Sequence, residues 1–326
     1  MSQKKITFIF PTKNRVKKAY TFVNKNLIKL KKVNPVFLII VSNSFEKKYF
    51  KKKFNLAKNV KVVLQNKNGF MNACFESIKY VKTDYCTFLY DDDEISPHAV
   101  EIFKKVYSEN LSMGFGIVSD QNTKSKFQPI NIEKIYSKEI LSAYYGINLK
   151  GVSLMPVSPI CLVFNSKFLI NWKKILLKFC AHNKFRNHIL LEQNIGPDLI
   201  LYLHQIIKKN KVSFAKPYIA KFILHKTSMS YILGKNKLRI GYWLAKKSLV
   251  DFNILKDKEL NKLIFSFLYL SGLYILIYNL YLKIFKKDNY YYLFKNEMKN
   301  LIKNKNFKIS IYLILKIIVN KLISKC

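Results

Sequence analysis

The chain has 326 residues, half of them hydrophobic, with only 9 Gly and 8 Pro. That apolar mass excludes a disordered chain, the low Gly and Pro exclude collagen-like or linker-like ones, and the length suits roughly two domains. Lys+Arg number 58 against 19 Asp+Glu, a net charge of +39, which suits the A/T-rich codons that Lys shares with the abundant Asn, Ile, Phe and Tyr, then an anionic membrane surface, then nucleic acid.

Residues 6–10, Ile-Thr-Phe-Ile-Phe, read as a buried strand ending at Pro11. Met1 to Lys5 is basic and the apolar run that follows it is only five residues before Pro11, too short for a signal peptide, so a cytosolic start is expected. Val16, Tyr20, Val23, Leu27 and Leu30 recur at helical spacing and predict an amphipathic helix over 16–32. Strands follow at 36–41 and 60–64, a helix at about 70–80, and a strand at 85–90. Near-continuous apolar strands alternating with helices predict an α/β fold, a mostly parallel sheet covered on both faces. Ligands of such sheets bind beyond the carboxyl ends of the strands.

The residues at those ends are polar. They are Pro11-Thr12-Lys13-Asn14-Arg15, Ser42-Asn43-Ser44, Asn66-Lys67-Asn68-Gly69 and Asp91-Asp92-Asp93-Glu94. Four consecutive acids directly after an apolar strand are costly without a cation. They can be a solvated turn capping a helix over 98–110. The chemistry also suits Mg²⁺ or Mn²⁺, held by carboxylates and completed by substrate phosphates. Asn66 and Gly69 alone would be a turn; beside the acids they suit a phosphate- or sugar-facing loop.

Residues 119–150 are less regular and are expected to be an insertion lining the acceptor side. Ser158 to Phe164 reads as a strand and 166–180 as a helix carrying Trp172. Gly196-Pro197-Asp198 opens a helix, where Asp198 can be a cap or a functional acid. Residues 212–224 read as extended and lead to His225, by itself as consistent with a surface position as with a site.

Together, Pro-Thr-Lys-Asn-Arg after the first strand, Asn66-x-x-Gly69, the acidic cluster, Gly-x-Asp198 and His225 before Ser-x-Ser resemble family 2 glycosyltransferases of the GT-A fold. The nearest flavour is the bacterial O-antigen, abequosyltransferase-like group, and the resemblance covers roughly 1–230. It implies a nucleotide-diphosphate sugar donor. Pro11, Thr12, Asn14, Arg15, Asn43, Asn66, Gly69, Asp91 and Asp92 would line the donor. Asp91 and Asp93 match the D-x-D motif for metal and diphosphate, His225 falls where some members contact the metal, and Asp198 falls at the general base. Asn43 departs from the aspartate often found after strand two. The residues fit that chemistry: a cation neutralises the departing diphosphate, Asp198 takes the acceptor proton, and in-line attack inverts the anomeric centre. Excluding water calls for an ordering loop, expected within 119–150 or 225–235.

Residues 231–326 form a second, helical, basic region with 19 Lys+Arg and 5 acids, 19 − 5 = +14. Leu263 to Leu282 is uncharged and long enough to span a membrane. A single span would place the ten lysines of 284–326 outside, against the positive-inside rule. Helices lying in the interface are preferred, with core packing and a true span as alternatives.

The expected protein is thus an inverting Mn²⁺- or Mg²⁺-dependent glycosyltransferase on the cytoplasmic face of a membrane. Its partners would be a nucleotide sugar, a glycan or lipid-linked acceptor and anionic lipid. Nucleic acid is not expected, because only three of the basic residues are arginine, the residue that reads bases and phosphates bidentately. The alternatives are a nucleotidyltransferase of similar fold, although no Gly-rich phosphate loop is present, and a non-catalytic basic module. Five cysteines without C-x-x-C spacing indicate neither a disulfide framework nor a zinc site.

Overall fold

The computed structural model describes residues 5–91, 93–96, 98, 104, 111–119, 128–145, 161–223, 234–254, 257–286, 290–303, 312, 314, 315 and 317–319. They form two compact units. Unit 1 comprises Met1–Ile135, Pro156–Ile175 and Lys211–Lys226; unit 2 comprises Tyr136–Met155, Leu176–Asn210 and Thr227–Cys326.

Unit 1 is built on a sheet of nine strands among the described residues. They are β1 (Ile6–Thr12), β2 (Pro35–Val41), β3 (Val60–Leu64), β4 (Tyr85–Phe88), β5 (Asp93–Ile95), β6 (Leu111–Ser119), β7 (Asn131–Tyr136), β8 (Leu162–Asn165) and β9 (Lys211–Ile223). The order is β3-β2-β1-β4-β8-β6-β9-β5, with β7 paired to β9. The expected α/β architecture is the one that forms. β1, β2, β3 and β4 are parallel neighbours, so their carboxyl ends share one edge. β8 joins antiparallel, and β6 and β9 run parallel to each other. The apolar run of β1 is buried from Ile6 to Phe10, and Phe8 sits in register with Phe37 of β2, ring centroids 5.2 Å apart. Strands covered on both faces require such continuous apolar sequence.

The first helix, α1 (Val16–Lys29), buries Ala19, Val23 and Asn26. It stops short of the expected end at 32 because Leu30 leads into a tight 3-10 turn over Lys31–Val33. A second helix, α2 (Ser44–Lys53), was not foreseen. Its inward positions are Glu46 and Phe50, followed by Phe54, so an acid interrupts the apolar stripe that would have marked it. The helix α3 (Phe70–Ser77) starts at Gly69, whose φ of +115° suits glycine. Most of the helix expected over 98–110 lies outside the described residues.

Unit 2 is helical. It contains α4 (Ser137–Tyr144), the end of α5 (Lys167–Cys180), a short turn Lys184–Arg186 continuing as π-helix over Asn187–Glu192, α6 (Pro197–Ile206), α7 (Gly234–Asp251), α8 (Lys258–Lys286) and α9 (Tyr290–Lys303). The tail after 230 is therefore not a self-contained appendage, as the boundary expected there implied. It shares a unit with segments from within 136–210. The reason is visible at α6, whose apolar residues are buried all round. A helix of that kind needs neighbours on every side, and α7 supplies one. Gly241 of α7 lies against Gly196 and Ile195, and a Cβ at Gly196 would stand 2.6 Å from the Gly241 carbonyl oxygen.

A partly buried ionic network ties the unit together. Arg186 Nε and Nη2 donate to Glu297 at 2.9 and 2.8 Å, and Nη2 also lies 2.9 Å from Asp251. Lys247 meets both oxygens of Asp251 at 2.7 Å and Glu297 at 3.4 Å. Two cations and two anions thus neutralise one another across three segments. Burial pushes the Glu297 carboxyl up, but Arg186, Lys247 and Asn183 reverse this and hold it below the usual range.

Candidate active site

The loops leaving β1, β2, β3 and β4 meet at the carboxyl edge of the sheet, and hydrogen bonds join three of them. Glu46, 2% exposed, is the hub. Its Oε1 accepts from the Asn14 N–H, and its Oε2 accepts from the Ser42 N–H and hydroxyl, both at 2.8 Å. Asn43 caps α2, its Oδ1 accepting from the Glu46 N–H at 2.9 Å. The cap is one-sided: the acid reaches back to Ser42, the residue before the cap, and across to the β1 loop. Asn43, expected at the donor, is thus held as a helix cap. Asn14 takes a left-handed conformation, φ 59°, and Arg15 follows it. Arg15 Nη1 then donates to Asp91 Oδ1 at 2.9 Å.

Asp91 has one oxygen on Arg15 and the other, Oδ2, buried with no hydrogen-bond partner among the described residues. The Thr12 hydroxyl is in the same condition. Two such atoms near the edge are unusual, because buried polar groups are almost always paired. Asp93 opens β5, buried, its N–H donating to the Tyr90 carbonyl at 3.3 Å. Phe70 and Tyr90 rings, 5.7 Å apart, join the third loop to the fourth. Asn66 and Gly69 are exposed in that third loop, and Pro11 lies at the end of β1. Asp92 and His225 fall outside the described residues. Among the described residues no three His, Cys, Asp or Glu side chains are gathered as a metal site. Mg²⁺ and Mn²⁺ nevertheless bind through one or two carboxylates plus substrate phosphates, and the unpartnered Asp91 Oδ2 is an oxygen suited to that set.

Asp198 belongs to unit 2. It occupies the first turn of α6 after Pro197, where its Oδ1 accepts from the Leu199 N–H at 2.9 Å. Burial pushes its carboxyl up to about 6, against the pull of that hydrogen bond. Tyr242 lies beside it: the charge of Asp198, then burial, pushes the Tyr242 hydroxyl up. Tyr144, half-buried and next to Tyr145 and Tyr242, feels the same charge. The glycine contact between Gly196 and Gly241 explains the juxtaposition. Asp198 stands two residues after one glycine and Tyr242 one residue after the other. A carboxylate poised near neutrality can take a proton at physiological pH.

His204 of α6 is different. Its Nε2 lies 2.9 Å from the Ser248 hydroxyl, and burial lowers it to about 4, so it is a neutral packing histidine.

Glu46, Tyr144 and Tyr242 were not foreseen from the sequence. The spacing Asn43-x-x-Glu46 was the available signal for Glu46, since it has the form of a capping box. Tyr144 and Tyr242 carried no signal, because tyrosines are abundant in this chain.

The sequence matches the profile of glycosyl transferase family 2 over residues 7–171. No curated protein sequence matches the chain. Among solved structures, S. aureus TarS 1-349 superposes with a TM-score of 0.57 at 14% identity, covering 92% of this chain and 80% of that one. The same fragment in complex with UDP-GlcNAc gives a TM-score of 0.59 at 13% identity, covering 92% and 81%. Against the longer S. aureus TarS structure the TM-score is 0.57 at 12% identity, covering 98% of this chain and 54% of that one. At these identities the likeness is one of fold.

Proposed function

Since the chain belongs to glycosyl transferase family 2, we propose that it moves a sugar from a nucleotide-diphosphate sugar to a hydroxyl of a glycan or lipid-linked acceptor, with inversion. The observation that carries the reading is the state of Asp91: half-buried, fixed by Arg15 through one oxygen, and without a hydrogen-bond partner at the other. The nucleotide end rests on the edge loops. Glu46 fixes the Asn14 turn and so aims Arg15, and Thr12 offers a hydroxyl to the donor. The UDP-GlcNAc bound by S. aureus TarS makes a uridine nucleotide the first donor to test.

Asp91 and Asp93 would hold a Mn²⁺ or Mg²⁺ ion, which supplies positive charge against the departing diphosphate. Asp198 removes the proton from the attacking acceptor hydroxyl. The acceptor oxygen bonds to the anomeric carbon, the bond from that carbon to the diphosphate oxygen breaks, and the proton ends on Asp198. The Leu199 N–H orients the carboxylate for this, and Tyr144 and Tyr242 screen it from water. Family membership sets aside the nucleotidyltransferase and non-catalytic alternatives.

The test is a panel of nucleotide sugars with Mn²⁺ or Mg²⁺, reading released nucleoside diphosphate. One or more sugars should be turned over, and Asp91→Asn or excess EDTA should abolish release. No turnover of any donor, or full activity in EDTA, overturns the respective part of the reading.

A further inference from the structure

Helix α8 is the long apolar helix of unit 2, and half of its membrane-length window is buried within the structure. The buried side carries Phe265, Leu268, Ile275, Asn279 and Leu282. Trp243 of α7 donates its indole N–H to the Leu268 carbonyl, and Asn236 and Asn279 exchange hydrogen bonds. A helix clasped in this way is not wrapped by lipid on all sides. Its other side is open. Tyr274, Ile277, Tyr281 and Ile284 recur at i, i+3, i+7 and i+10, and all are exposed, Ile277 at 67% and Ile284 at 65%. At 100° per residue they occupy an arc of about 80°. Four large apolar side chains in one narrow row are an unusual surface for water.

Cations lie on aromatic rings beside the row and at the start of α9. Arg239 of α7 lies over Tyr274 and Tyr278, at 5.2 and 5.5 Å. Lys283 lies 4.1 Å from the centre of the Tyr292 ring and 5.5 Å from that of Tyr291, and Lys295 lies over Tyr291 at 5.7 Å. Lys237 lies over Tyr290 at 5.7 Å. The described acids of this region are engaged elsewhere. Asp251 and Glu297 belong to the partly buried network, and Asp257 and Glu259 pair with Lys138. The surroundings of the row and the start of α9 are therefore positive and tyrosine-rich.

We propose that this face of α8, with the start of α9, docks in plane on an anionic lipid bilayer. Isoleucines enter the acyl boundary, tyrosines sit at headgroup level, and the lysines and Arg239 meet lipid phosphates. Charge selects this occupant over a second copy of the chain: two faces of the same sign, each on a molecule of +39, repel.

The test uses the full-length protein and co-sedimentation with phosphatidylglycerol–phosphatidylcholine vesicles. Binding is expected at low salt, with release in 0.5 M NaCl and little binding to phosphatidylcholine alone, since exposed charge pairs are screened at about 0.5 M. Each basic side chain near an anionic surface strengthens binding about fivefold, so Lys237→Ala with Lys283→Ala and Lys295→Ala should weaken it about 100-fold. Ile277→Glu with Ile284→Glu should abolish it. The glutamate variant alters exposed side chains and the alanine variant half-buried surface lysines, so helical circular dichroism and donor hydrolysis should be unchanged. Three results would overturn the proposal: a wild-type chain that stays in the supernatant with anionic vesicles present, bound protein that resists alkaline carbonate as a spanning helix does, or a lipid-free dimer in sedimentation velocity that Ile277→Glu with Ile284→Glu dissolves. Failure of every nucleotide sugar to react would leave the vesicle result standing, so the two readings fail separately.

Discussion

Replacing Asp198 by Asn separates a catalytic base from a helix cap, because Asn keeps the cap oxygen and cannot take a proton. The carboxyl is raised from 3.8 to about 6 by burial. A shift of about two units corresponds to ~3 kcal/mol of differential interaction between its two protonation states. The sign is that of a raised pKa: protonation stabilises the fold, and this stability is lost as pH rises through about 6. At pH 8 the ionised carboxylate therefore burdens the fold. Asn keeps the oxygen that accepts from Leu199 but carries no charge. Asp198→Asn should stabilise the protein at pH 8 by about 1–3 kcal/mol, the lower end allowing for partial solvent access. For a domain of this size that is a Tm rise of several degrees. Turnover should fall about 10²–10⁴-fold, the usual cost of losing a general base. In the wild type, kcat/KM should fall tenfold per pH unit below about 6, since only the ionised carboxylate accepts a proton. The assay is nucleoside diphosphate release at saturating donor, paired with thermal melts at pH 5 and pH 8. A variant that keeps its full rate would show that Asp198 is only a cap, since Asn retains the cap oxygen.

Three further outcomes follow from particular contacts. Glu46→Ala removes the acceptor for three donors on two loops; it should raise the donor KM more than it lowers kcat and destabilise by about 2–4 kcal/mol, with Glu46→Gln partly restoring both. Gly241→Ala puts a Cβ 2.6 Å from the Ile195 carbonyl oxygen; it should cost about 1–3 kcal/mol in urea unfolding and lower turnover by moving Tyr242 from Asp198. Glu297→Gln leaves Arg186 and Lys247 undercompensated and should cost about 3–5 kcal/mol. Because Glu297 is held below the usual carboxylate range, its stabilisation is present above the unfolded pKa and lost as pH falls through the folded one. The wild type should therefore lose stability on acidification below about pH 4, where the Gln variant changes less.

The parallel half of the sheet was legible because its strands are buried on both faces, which forces unbroken apolar runs such as Phe-Leu-Ile-Ile in β2. The edge followed from that reading, since topology alone carries the polar loops after β1, β2, β3 and β4 to one side. What stayed hidden was hidden by a physical conflict. In α2 the inward position that periodicity expects to be apolar holds Glu46, and a charge there erases the helical signal while creating the contact that orders the site. The second unit was hidden for another reason: its partners are far apart in sequence. Gly196 and Gly241 are 45 residues apart, 241 − 196, and neither glycine alone announces a helix crossing. Apolar length marked α8 but could not distinguish a span from a helix with one clasped face and one open face. That distinction rests on side chains such as Trp243 and Asn236, which lie on another helix.

The scarcity of acids makes their positions informative. With 19 of them against 58 basic residues, a carboxylate placed by chance would meet lysines on every surface. Several described acids are instead taken inward. Glu46 joins two loops, Asp91 receives Arg15, Asp198 faces Tyr242, and Asp251 with Glu297 neutralises a partly buried Arg–Lys pair. Two of the three arginines, Arg15 and Arg186, are spent on those acids, where a planar fork holds a carboxylate better than an ammonium does. The lysines are mostly left on the outside. Composition that looks like a uniform basic field is thus sorted by depth: paired charge holds the loops and the helical unit, and unpaired positive charge is left at the surface that lipid would meet.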